Sequence, residues 1–219
     1  MARRGTDARS AVSLPCRRVG HGCAGLGAAS VHPRLYQTTI CFRRVKEAFN
    51  LYLTVTPWDL AMLSGKYMQK GLLFTKPPAA NAQEDFIKSL LDRLKHSLCV
   101  TLVHFYPLAG CLVTQKNENP PSSLIFVDCS NSAGAKFIYA DLDMTISDIL
   151  SPIDVPSIFQ SFFDHDRAVN YDGHTMPLLS IQVTELKDGI FIGCSMNHCI
   201  GDGASYWHFF NTWPEIFQA

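Results

Sequence analysis

With 219 residues, 47% of them hydrophobic and 17% charged, the chain can bury a real core and has the size of a single domain. No apolar run approaches the roughly 20 residues that span a bilayer as a helix. Eight cysteines, at 16, 23, 41, 99, 111, 129, 194 and 199, include no Cys-x-x-Cys pair, which fits a reducing compartment better than a disulfide framework.

The zero formal net charge is unevenly divided. Residues 1–50 hold nine Lys/Arg and two acids, while residues 51–219 hold ten Lys/Arg and seventeen acids, so the parts carry +7 and −7. The arginine-rich, acid-poor start has three readings: an organelle transit peptide, a basic arm for nucleic acid, or sequence foreign to the rest, such as a misassigned first exon. Aromatic interleaving and a binding fold, which nucleic acid would call for, are missing. Residues 1–45 are therefore expected to be a basic leader, disordered or non-native, and residues 46–219 the folded domain. Within the leader, 38–42 is a strand candidate. The expected location is the cytoplasm, or a plastid or mitochondrion if the leader is a genuine transit peptide.

Residues 51–56 alternate Leu-Tyr-Leu-Thr-Val-Thr and predict a strand closed by Pro57. A helical turn over 58–64 and a strand over 71–75, stopped by Pro77 and Pro78, come next. The clearest helix covers 81–99, where Phe86, Leu90, Leu94 and Leu98 recur every fourth residue and Glu84 and Asp85 suit the positive end of the dipole. Strands at 110–114 and 123–128 make a hairpin, and 136–140 adds a third strand. Thr145 and Asp148 have capping-box spacing for a short helix. A long connection, 152–176, is anchored by Phe159, Phe162 and Phe163. Strands at 178–186 and 189–196 form a hairpin through Asp188-Gly189. Residues 204–217, with Tyr206, Trp207, Phe209, Phe210, Trp213 and Phe217, predict a helix over the sheet, and Pro214 predicts a kink or a new turn in it.

The chemistry concentrates in Asn197-His198-Cys199-Ile200-Gly201-Asp202-Gly203. Gly201 and Gly203 oppose a continuous helix, so the spacing predicts a strand end, a tight loop carrying His198 and Asp202, and a helix opening at Gly203. A histidine held between two rigid elements and facing a cavity is placed to act as a general base. The competing readings are a packed core histidine, half of a metal site, and a thiol nucleophile at Cys199. No second ligand pair lies nearby for a metal, and neighbouring side chains on an extended backbone point apart. Asp202 could orient the imidazole as in a Ser-His-Asp relay.

The HxxxDG motif from His198 to Gly203 does not stand alone. Thr56-Pro57-Trp58-Asp59-Leu60, Tyr67-Met68-Gln69-Lys70-Gly71-Leu72-Leu73-Phe74, Phe105-Tyr106-Pro107-Leu108-Ala109-Gly110 and Pro177-Leu178-Leu179 accompany it. In order and spacing, residues 50–219 resemble the plant BAHD acyltransferases, which use coenzyme A thioesters to acylate alcohols and amines. Condensation domains of peptide synthetases share the short motif but have a second histidine where this chain has Asn197.

The resemblance implies an α/β fold of the chloramphenicol-acetyltransferase type, a mixed sheet with flanking helices, forming one of two domains. It implies acyl-coenzyme A as co-substrate, a small-molecule alcohol or amine as acceptor, and no bound cofactor, metal, nucleic acid or membrane. His198 would be the base. Asp202 would turn away from the substrate toward an arginine of the second domain, a structural role shared with Gly203. Tyr67, Gln69 and Lys70 would face the acceptor, with a solvated surface as the competing reading of Lys70. The chain departs from the family in its length, about half the usual, in lacking a DFGWG motif, and in having Cys111 where an arginine is general. The rival expectation is a truncated, inactive domain that associates through the face its second domain would cover.

Overall fold

The computed structural model describes residues 34–40, 52–77, 85–130 and 134–219. In chain order the first half comprises strands β1 (Arg34–Ile40) and β2 (Tyr52–Thr54), helix α1 (Pro57–Ala61), strand β3 (Met68–Thr75) and helix α2 (Asp85–His104). The hairpin β4 (Cys111–Glu118) and β5 (Pro121–Asp128) follows, then β6 (Ala135–Asp141) and helix α3 (Ile146–Leu150). The hairpin β7 (Leu179–Glu185) and β8 (Gly189–Met196) leads into α4 (Gly203–Gln218). Five strands form one sheet in the order β1-β6-β7-β8-β3, and three form a second in the order β2-β5-β4. β6 and β7 are parallel; the other pairings are antiparallel. This is the mixed α/β architecture expected from the sequence.

Helices α2 and α4 cover one face of the larger sheet. Leu94, Leu98 and Leu102 of α2 bury with Phe137 of β6, Ile181 and Val183 of β7, and Tyr206 and Phe209 of α4. α2 extends beyond its predicted end at 99 because Thr101 and Leu102 continue the buried stripe; residues 81–84 lie outside the described ones. The Trp213 indole N–H donates to Ser97 Oγ at 2.9 Å and locks α4 onto α2. α4 runs unbroken through Pro214, so the chain makes no new helix there.

The other face of the sheet is covered by the 152–176 connection. Phe162 is fully buried against the rings of Phe159 and Phe191, with centroids 5.2 Å away in both cases. Gly71 and Gly193 stand opposite each other on β3 and β8 and make the close approach feasible. A Cβ at Gly71 would lie 2.2 Å from the Phe191 ring, and one at Gly193 would lie 2.4 Å from the Phe162 carbonyl oxygen.

Residues 1–45 are expected to be a disordered or non-native leader with a strand candidate at 38–42, and within them Arg34–Ile40 pairs with β6 from Arg34 opposite Asp141 to Ile40 opposite Ala135. Tyr36, Thr38, Thr39 and Ile40 favour strand, and β6 would otherwise be an open edge. The strand begins four residues before the 38–42 candidate; residues 1–33 and 41–51 lie outside the described ones. Among the described residues, no helix is long and apolar enough to cross a membrane.

Candidate active site

β8 ends at Met196, paired with Met68 on one side and Leu179 on the other, and delivers the next residues to the end of the sheet. Asn197 is fully buried and organises the turn. Its N–H donates to Leu178 O at 2.9 Å, its Oδ1 accepts from Cys199 N at 3.0 Å, and its Nδ2 donates to Asn170 O at 2.8 Å. His198 follows with its backbone N–H donating to Asn170 Oδ1 at 2.8 Å. The His198 side chain is half-buried, and its Nδ1 is enclosed without a hydrogen-bond partner among the described residues. The loop's backbone is thus anchored while the imidazole stays partly exposed, a setting in which it can take a proton from a bound hydroxyl or amine.

Asp202 does not orient that imidazole. Its Oδ1 accepts from Ser205 N at 2.8 Å and from Ser205 Oγ at 2.9 Å, so it is the N-cap of α4. Those hydrogen bonds hold its carboxyl below the usual carboxylate range. Gly203 is the first residue of α4, and a Cβ there would meet no described atom within 4 Å. Sterics within the described residues therefore do not require glycine at 203, and the space beside the cap is open.

Tyr67, Gln69 and Lys70, expected to face the acceptor, lie on two faces of the sheet. Tyr67 is buried, donates to Pro177 O at 3.3 Å and packs edge-on against His165 at 5.0 Å; burial pushes its phenol up to about 12. Gln69 Nε2 donates to Asp164 O at 3.0 Å beneath the connection. Lys70 points to the opposite face, as strand alternation demands, and its ammonium lies 4.5 Å from the Trp207 ring centroid and 5.0 Å from that of Tyr206. Two of the three support the fold from below, and the third sits on α4.

The structure adds residues that the motif did not single out. Asn170, fully buried in the connection, reaches the His198 loop from the side. Beside it, Asp164 gathers Lys136 Nζ at 3.1 Å and Ser180 Oγ at 2.8 Å, while His165 Nδ1 lies 3.4 Å from its Oδ2. Burial alone would raise the Asp164 carboxyl, but His165, Ser180 and Lys136 reverse this and hold it low. Burial lowers the pKa of His165 against the pull of Asp164. A polar run inside a long loop, Asn170-Tyr171-Asp172-Gly173-His174, was the available signal. Cys199 is buried as well, its thiol pushed up to about 11, and so is a poor source of thiolate.

Known proteins bear directly on this geometry. A family model described as the Transferase family matches residues 44–219. An uncharacterized acetyltransferase of Arabidopsis thaliana is 42% identical over 164 residues, covering 74% of this chain and 35% of that protein. The BAHD acyltransferase DCR of the same plant is 34% identical over 173 residues, covering 78% of this chain and 34% of that protein. The chain therefore spans about a third of the length of these curated relatives. Among solved structures, vinorine synthase superposes with a TM-score of 0.62 at 21% identity, covering 86% of this chain and 43% of that one. That likeness shows a shared fold.

Proposed function

This chain belongs to the transferase family that includes the plant BAHD acyltransferases, and on that premise we propose that it carries the general base of a coenzyme A-dependent acyl transfer. Acyl-coenzyme A enters as co-substrate. The acceptor is a hydroxyl or amine on a small specialised metabolite. The observation that carries the reading is the half-buried His198 at a strand end, its backbone anchored and its Nδ1 without a partner among the described residues.

In this reaction His198 removes the acceptor proton as the oxygen or nitrogen attacks the thioester carbonyl. The new C–O or C–N bond leaves a tetrahedral oxyanion. Its collapse breaks the C–S bond, and the departing thiolate takes up the proton that His198 holds. Asp202 contributes by fixing the start of α4, and therefore the far end of the His198 loop. Oxyanion stabilisation and thioester positioning are assigned to polypeptide other than these residues, since the chain spans about a third of its relatives.

A chimera tests this. Residues 44–219 replace the matching region of the Arabidopsis acyltransferase DCR, and coenzyme A release is followed with acetyl, malonyl and hydroxycinnamoyl thioesters. Release that depends on an added alcohol or amine is expected. Release that is independent of acceptor, or none with any pair, would sink the proposal.

A further inference from the structure

His198 has no described carboxylate on its ring. Its Nδ1 is enclosed without a partner among the described residues, and the Asp202 carboxylate is taken by Ser205. In a Ser-His-Asp arrangement the base is oriented through the ring nitrogen that faces the carboxylate. Here orientation has to come through the backbone that carries the ring.

We propose that Asn170 supplies it, as the positioning residue of His198; this rests on reading His198 as the base. Asn170 is fully buried, and each of its polar atoms is used. Its N–H donates to Gly65 O at 2.8 Å, and its carbonyl accepts from Asn197 Nδ2 at 2.8 Å. Its side-chain Oδ1 accepts from His198 N at 2.8 Å while Nδ2 donates to Met62 O at 2.8 Å. Three segments remote in sequence therefore meet on one amide: the loop after α1, the 152–176 connection and the turn after β8.

The position of that hydrogen bond gives it its effect. The sheet ladder ends at Met196, so His198 N–H has left the strands that could have supplied an acceptor. Asn170 Oδ1 replaces that acceptor, fixes the peptide plane entering His198 and with it the direction of the Cα–Cβ bond. Buried amide hydrogen bonds of this kind are costly to leave unmade. Asparagine suits the place because one end must accept while the other donates to Met62 O, which a carboxylate cannot do. Gly173 keeps the surroundings tight: a Cβ there would lie 2.8 Å from Asn197 Nδ2.

The test is amide hydrogen exchange on the ¹⁵N-labelled 219-residue chain, with the amides of Ile181 and Cys194 as internal references. Asn170→Ala is expected to speed exchange at His198 N–H about tenfold and to leave both references unchanged. Asn170→Asp keeps an acceptor for His198 N–H but loses the donation to Met62 O, so its protection at His198 N–H is expected to exceed that of Asn170→Ala. Unchanged exchange in Asn170→Ala, or an equal acceleration at the references, overturns the proposal. If Asn170→Ala does not fold, Asn170→Asp decides: protection lost at His198 N–H while the references keep theirs overturns the proposal, and protection retained there supports it. These readouts need no catalysis. A chimera that keeps its activity after His198→Ala would defeat the functional reading while leaving the exchange result intact.

Discussion

His165 is buried with a backbone φ of 61°, its ring edge-on to Tyr67 and 3.4 Å from Asp164 Oδ2. Its folded pKa is lowered, so the unfolded chain binds the extra proton first as pH falls. Its neutral form contributes stability in full above about 6.5, the ordinary imidazole value, and that contribution is lost as pH drops from there toward the folded pKa. His165→Asn, which tolerates a positive φ, is expected to flatten the decline in denaturant midpoint below pH 6.5. A decline as steep as the parent's would show that His165 is not its source. Asp202 titrates in the other sense. Its folded carboxyl is held low, so the cap contributes fully above the unfolded carboxylate value and is lost as pH falls through the folded one. Asp202→Ala is expected to lower the thermal midpoint at neutral pH and to leave that at acid pH unchanged, as scanning calorimetry at both pH values would show.

Phe162 holds the 152–176 connection on the sheet. Phe162→Ala removes a fully buried ring from the cluster with Phe159 and Phe191, and a loss of about 3–5 kcal/mol in unfolding free energy is expected from urea titration. α4 has a built-in weakness in Pro214, which gives up one helical hydrogen bond. Pro214→Ala is expected to stabilise the chain, raising the urea midpoint. At this scale much was legible beforehand. The β7–β8 hairpin, the capping box of α3 and the Gly203 start of α4 follow from local chemistry, because turn and cap residues act on their immediate neighbours. What stayed hidden was the buried side of β7. Ser180, Gln182 and Thr184 are polar yet buried, with Gln182 Nε2 donating to Ser161 O of the connection at 2.6 Å. β1 was legible only in part, as the 38–42 candidate, because its place depends on an edge of β6 supplied far later in the chain.

For the whole molecule, the motif made His198 conspicuous but gave no sign of what holds it. Asn170 lies 28 residues before His198, and only the folded connection brings them together. The split of Tyr67, Gln69 and Lys70 between two faces has a related origin, since adjacent strand residues serve opposite faces and a contiguous motif need not line one surface. The arrangement also limits what these residues can do unaided. A positioned base supplies about 10²–10⁴-fold, and the rest of an enzymatic acceleration comes from thioester positioning and oxyanion donors. The 219-residue chain assayed alone is therefore expected to release coenzyme A at little above the uncatalysed rate; brisk turnover would place the complete site within it or in a homodimer. The claim that His198 is the base is tested most directly in the chimera carrying residues 44–219, by comparing kcat for parent and His198→Ala with one acyl thioester and one acceptor. The account predicts a fall in kcat of about 10²–10⁴-fold, with the variant's unfolding midpoint unchanged; an undiminished kcat would contradict it.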